Sequence, residues 1–148
     1  MDVETGVVTL VDFLGVGDVG TVVNPRSLLA QINGGCCLGI AHAMYQKLVY
    51  DPHYGLSLAR RFHHNKPMTI LDIPHMKAEA LNIADPETPV GARGVGEPPV
   101  GAGFGAVLNA IADAIGVDAF RRAPVTSDIV LMSLTHGKRM HEPLQSHI

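Results

Sequence analysis

Two kinds of apolar pattern divide the chain. A β-branched run, Val7-Val8-Thr9-Leu10-Val11, lies near the start, and residues 6–23 read as two strands around a glycine-rich centre, Gly15-Val16-Gly17-Asp18-Val19-Gly20. The period then changes. Leu28, Leu29, Ile32, Ile40, Ala43, Met44 and Leu48 recur at helical spacing. Asn24-Pro25 supplies an N-cap and a proline for the first helical position. Asp51-Pro52-His53-Tyr54-Gly55 reads as a turn. Residues 56–77 read as irregular, and residues 76–84 alternate in part like a strand. Val107, Leu108, Ile111, Ala114 and Ile115 mark a second helix, from about Val100 to Ile115, with Gly116 as its C′ residue. Ile129 to Leu134 is apolar, and residues 135–148 form a polar tail expected to be loosely ordered or to lie on a partner. The pattern predicts an α+β fold in one domain, residues 1–148, with two main helices packed on short strands.

Composition narrows the classes. The chain has 148 residues, 47% of them hydrophobic, and a net charge of −3, so no basic patch points to nucleic acid. Met1-Asp2-Val3-Glu4 does not read as a secretory leader, and no apolar run reaches the ~20 residues of a membrane span. The two cysteines are adjacent, Cys36-Cys37, which suits neither a zinc site nor a disulfide framework. They read as packing thiols in a reducing, cytoplasmic setting. His63-His64 project in different directions from an extended chain and predict no metal site. The glycines from Gly15 to Gly20 match a dinucleotide-loop spacing, but Thr21-Val22-Val23 continues as strand where that motif requires a helix. A tight connection between two strands is the expected structure there.

Candidate chemistry centres on Gly91-Ala92-Arg93-Gly94-Val95-Gly96-Glu97-Pro98-Pro99. Pro98 forces Glu97 into extended geometry, and Pro99 suits a helix start. Glu97 is therefore a carboxylate held at the mouth of a helix, flanked by glycines that admit close approach. The bland account is a helix-start acid favoured by the dipole. In the first helix, Gly34, Gly35 and Gly39 each cost about 1 kcal/mol against alanine. Either close helix packing or close approach of a ligand to the backbone would explain them. The glycines from 101 to 105 at the second helix start leave a free-standing phosphate-binding module open as a weaker reading.

Around Glu97 the sequence resembles the C-terminal part of the molybdenum-binding subunit of the xanthine dehydrogenase/aldehyde oxidase family. Three further blocks resemble that family in the expected order: Gly17 to Pro25, Gln31 to Tyr50 with Gly34-Gly35 and Leu48-Val49-Tyr50-Asp51, and Leu71-Asp72-Ile73-Pro74. The resemblance runs from about Val7 to Leu131. It implies one piece of a larger molybdopterin-binding domain. It implies an oxidoreductase that hydroxylates a C–H carbon of a heterocycle, aldehyde or related small molecule with oxygen from water, with Glu97 as general base. Molybdenum would be held by a molybdopterin, in its cytosine dinucleotide form, and not by side chains of this chain. Gly34, Gly35, Cys36, Leu38, Gly39, Arg93, Gly94, Val95 and Gly96 would line that cofactor. The implied partners are a larger molybdenum-binding chain, a 2Fe-2S iron–sulfur subunit and an FAD subunit, so the chain is expected to work only in a complex. A non-catalytic assembly or pterin-binding subunit is the alternative. Leu38 departs from the family, which usually has a glutamine there near the metal, and Arg93 stands where lysine is common.

Overall fold

The computed structural model describes residues 1–136, in the order β1 (Asp12–Asp18), α1 (Pro25–Met44), β2 (His75–Leu81), α2 (Pro98–Ile115) and α3 (Ser127–His136). The fold is α+β, with a third helix beyond the two expected. The apolar run inside α3 is too short to show a helical period. The signal for its start lies outside that run, at Thr126, whose carbonyl accepts the Val130 N–H at 3.1 Å. The chain gathers into two compact units. One comprises Leu10–Ile40 and Met68–Gly105; the other comprises Met1–Thr9, Ala41–Pro67 and the described residues after Gly105.

In the first unit, β1 and β2 pair in parallel, from Asp12 opposite His75 to Asp18 opposite Leu81. The expectation of two strands within residues 6–23 is corrected. One strand forms there, and of the glycines read as a connection Gly15 and Gly17 lie inside it, while Gly20 follows it in an isolated bridge to Ala92. The reason is packing. A Cβ on Gly15 would lie 2.9 Å from Ile32 Cγ2 and 3.1 Å from Cys36 Sγ, and one on Gly17 would lie 3.2 Å from Ile32 Cδ1. Bare backbone at alternate positions lets β1 rest directly on α1. Val19, Leu28, Ile32 and Cys36 form the buried cluster, flanked by Phe13, Met76, Ala78, Ala80 and Val95. Each large side chain removed from water there contributes about 1.5–3 kcal/mol. On the opposite face Leu14 and Val16 remain 59% and 56% exposed.

Helix ends follow local chemistry. Asn24 Oδ1 accepts the Ser27 N–H (3.1 Å), and the Asn24 carbonyl accepts the Leu28 N–H (3.0 Å). α2 begins at Pro98, two residues before the expected start, because proline needs no amide partner in a first turn. It ends at Gly116, whose φ of +105° and N–H bond to the Ala112 carbonyl (2.8 Å) fit the C′ position. By length and composition α2 is apolar enough to cross a membrane, with 17% of it buried.

The second unit buries Ala41, Ala43, Met44, Val107, Ile111, Val125 and Val130. Val125 N–H donates to the Ala43 carbonyl (2.7 Å), and Ser133 Oγ donates to the Ala119 carbonyl (3.1 Å). The turn at Asp51 forms as read: its Oδ1 accepts the N–H groups of His53 and Tyr54, and Gly55 has φ +65°. Of the expected tail, Thr135 and His136 close α3, and residues 137–148 lie outside the described residues.

Candidate functional site

The site is built on a seam between two helix backbones. A Cβ on Gly39 would run into the Val100 carbonyl oxygen and lie 2.7 Å from Phe104 N. One on Gly103 would lie 3.0 Å from the Cys36 carbonyl oxygen. One on Gly35 would lie 2.8 Å from Pro99 Cβ and 3.6 Å from the Gly96 oxygen. Glycines at 35 and 39, one turn apart, thus let the start of α2 sit directly on α1. Close helix packing accounts for both. Gly34 differs: nothing lies within 4 Å of a Cβ placed there.

The segment leading to Glu97 is pinned at its base. Gly20 and Ala92 form an antiparallel bridge. The Gly91 carbonyl accepts N–H bonds from Thr21 (2.7 Å) and Asp85 (2.9 Å), and Arg93 N–H donates to the Val19 carbonyl (2.8 Å). Gly20 and Gly91 have φ of +67° and +70°, a region that glycine enters without strain. The Arg93 guanidinium reaches two carboxylates: Nη1 lies 2.7 Å from Asp18 Oδ2, and Nε lies 2.5 Å from Asp85 Oδ2. The Arg93 hydrogen bond, joined by a backbone bond from Glu87, holds the Asp85 carboxyl below the usual carboxylate range.

Above this base the loop narrows to two anchors. Val95 packs against the buried cluster, and Pro99 is buried against Gly35. Glu97 stands between them with its side chain exposed, and its carbonyl accepts the Val100 N–H at 2.9 Å. Positions 94 and 96, like 34, are open: no atom lies within 4 Å of a Cβ on any of them. Bare backbone beside an exposed carboxylate fits a broad ligand laid against the main chain, as a molybdopterin would be. In α1, the buried Asn33 Oδ1 has no hydrogen-bond partner among the described residues, a costly state for an acceptor. A phosphate seat at the mouth of α2 is not formed. Pro98 and Pro99 carry no N–H, and the Val100 amide is already bonded.

Two further predicted residues differ in burial. Cys36 is 2% exposed, with its thiol turned toward Gly15. Burial, then the neighbouring Cys37, pushes that thiol's pKa up, as suits a packing residue. Leu38 is 52% exposed. Sequence reasoning missed Asp18 and Asp85 as partners of Arg93, and Gly103 as the α2 half of the seam. The pairings join residues distant in sequence, and no local pattern announces them. Among the described residues no three His, Cys, Asp or Glu side chains are grouped to hold a metal ion.

Residues 1–74 match the family model described as a molybdopterin cofactor-binding domain. The xanthine dehydrogenase molybdenum-binding subunit of Escherichia coli O157:H7 is 29% identical over 126 residues, covering 85% of this chain and 17% of that subunit. The carbon monoxide dehydrogenase large chain of Afipia carboxidovorans is 34% identical over 114 residues, covering 77% of this chain and 14% of its own length. Among solved structures, the Cu,Mo-CO dehydrogenase in its carbon monoxide reduced state superposes with a TM-score of 0.82 at 29% identity, over 93% of this chain and 17% of that one. The chain therefore spans less than a fifth of the relatives it matches.

Proposed function

The chain belongs to the molybdopterin cofactor-binding domain family, as a fragment-length member of the xanthine dehydrogenase group, and from that premise we propose that it contributes the catalytic glutamate and part of the cofactor wall to a molybdenum hydroxylase. The reaction is oxidation of a C–H carbon in a heterocycle, aldehyde or related small molecule, with water as the oxygen source. When bound, the molybdopterin supplies the two-electron chemistry and the site of oxygen transfer. Glu97 acts as general base, its carboxylate taking the proton from the water-derived oxygen. Val95 and Pro99 hold the main chain on both sides of Glu97, which limits where its carboxylate can reach. Gly94, Gly96 and Gly34 leave their outer side clear for the cofactor. The single observation that carries this reading is an exposed glutamate whose main chain lies between two packed residues and is bordered by bare backbone.

The remaining apparatus comes from partners: a larger molybdenum-binding chain, a 2Fe-2S subunit and an FAD subunit, with the cofactor in its cytosine dinucleotide form. The exposed face of the β1–β2 pair supports the larger chain, since parallel sheets are ordinarily covered on both faces. The free thiols of Cys36 and Cys37 suit a reducing cytoplasm.

The test is Glu97→Gln in the purified complex, assayed with a panel of purines, pyridines and aromatic aldehydes. Turnover should fall by ~10²–10⁴, the usual contribution of a positioned base, while molybdenum content and subunit composition stay unchanged. Full turnover in that variant would remove Glu97 from the chemistry and leave the chain as a pterin-binding or assembly subunit.

A further inference from the structure

Arg93 stands four residues before Glu97, and both its main chain and its side chain are committed. Its N–H bonds to the Val19 carbonyl at 2.8 Å. Its Nη1 reaches Asp18 at the end of β1 (2.7 Å), and its Nε reaches Asp85 beyond β2 (2.5 Å). The Asp85 side chain is only 12% exposed, and its second oxygen accepts the Glu87 N–H at 2.9 Å. One cation against two carboxylates leaves the cluster with a net negative charge, which repels an anionic cofactor. An isolated surface ion pair contributes little. A planar fork held by two carboxylates from different segments adds directional constraint that a point charge lacks.

We propose that Arg93 is a positioning residue for the reaction: it latches the glutamate loop to the ends of β1 and β2 through Asp18 and Asp85, and it acts through Glu97. This rests on the reading of Glu97 as general base. Between the latch and α2, Gly94 and Gly96 offer no side chain and Val95 is one small anchor. Without the Arg93 fork the loop keeps only the Ala92 bridge, the Arg93 N–H bond and the Val95 contact before Pro99, so the stretch from Arg93 to Gly96 loosens and the placing of Glu97 becomes less sharp. A misplacement of about 1 Å in a catalytic group costs on the order of 10² in rate.

The experiment uses the purified complex carrying Arg93→Gln, Arg93→Lys, Asp85→Asn or Glu97→Gln, and the pairwise combinations with Glu97→Gln. Two readouts apply: amide hydrogen exchange, and reduction of the complex under single-turnover conditions by the purine, pyridine and aldehyde panel. Arg93→Gln should accelerate exchange across residues 91–97 at least ~10-fold and slow reduction ~10–100-fold with little change in KM. Arg93→Lys should recover part of both. In the Glu97→Gln background, Arg93→Gln should cost nothing further, because both changes remove one function. Asp85→Asn is the milder variant and should reproduce the exchange effect if Arg93→Gln fails to assemble. Unchanged exchange in Arg93→Gln and Asp85→Asn, or rate losses that multiply in full with that of Glu97→Gln, would overturn the latch. A Glu97→Gln complex that reacts at the wild-type rate would overturn the base reading, and the exchange readout would still decide the latch.

Discussion

The helix seam and the glutamate loop use the same residue for opposite ends. At the seam, glycine removes a side chain so that protein can occupy its place: Val100, Phe104 and Cys36 backbone atoms fill the space beside Gly39 and Gly103. At the loop, glycine removes a side chain and nothing of the described chain takes the space beside Gly94 and Gly96. The seam is a finished contact; the loop is half of one. Glycine content alone therefore says little about ligand binding. What decides is which atoms a Cβ would meet.

The seam breaks most easily at Gly39. Alanine there meets main-chain atoms of α2, which cannot rotate away. Overpacking of this kind costs typically 1–3 kcal/mol, against about 1 kcal/mol regained from helix propensity. Because the clash is with main chain and lies toward the upper end of that cost, Gly39→Ala should destabilise the purified protein by about 1–2 kcal/mol, lowering its melting temperature by roughly 2–8 °C. A melt identical to wild type would mean that the two backbones are not in contact.

Gly35 separates stability from positioning. Its hypothetical Cβ meets the Pro99 ring at 2.8 Å, a side chain adjacent to the glutamate loop. The clash and the propensity gain nearly cancel, so Gly35→Ala should change stability by less than ~1 kcal/mol. Turnover should still fall about 10-fold, because Pro99 is one of the two anchors of Glu97. Unaltered turnover would show that the loop's position does not depend on the seam.

Much of this was legible along the chain, and the rest was hidden for a common reason. The Asn24 cap, Gly116 and the Gly-x-Gly-Glu-Pro-Pro run are local signals, and the helices formed where they pointed. Gly15 and Gly17 were misread as a turn because local rules treat glycine as a strand breaker. Here they form the inner face of β1, and that role exists only because Ile32 lies beneath them. The parallel register of β1 with β2, the bridge from Gly20 to Ala92 and the fork from Arg93 to Asp18 and Asp85 all join distant segments. The candidate base was readable from sequence; the parts that hold it still were not.

Gly34 sharpens the contrast, because it lies on the seam helix yet resembles the loop. With open space around it, Gly34→Ala should stabilise the cofactor-free protein by up to ~1 kcal/mol through helix propensity. If the molybdopterin lies against this backbone, the same change should lower molybdopterin content in the assembled complex. Higher stability with full cofactor content would assign Gly34 to neither use.

Acid should loosen the loop before it reaches the seam, since the residues in contact at the seam include no carboxylate or histidine. Asp85 has its folded-state pKa depressed, chiefly by the Arg93 hydrogen bond. A depressed carboxylate contributes stability that is complete above its unfolded pKa, near 3.9, and that is lost as the pH falls through the lower folded value. Between pH 7 and pH 5 the latch should therefore be constant. Below about pH 4, hydrogen exchange across residues 91–97 should rise, while the amides of α1 around Gly39 keep their protection. Asp85→Asn cannot titrate, so the variant should start with the faster loop exchange and lose most of the acid dependence. Equal acid sensitivity of loop and seam would mean that Asp85 does not hold the loop separately, and the distinction between a finished and an unfinished contact would lose its electrostatic half.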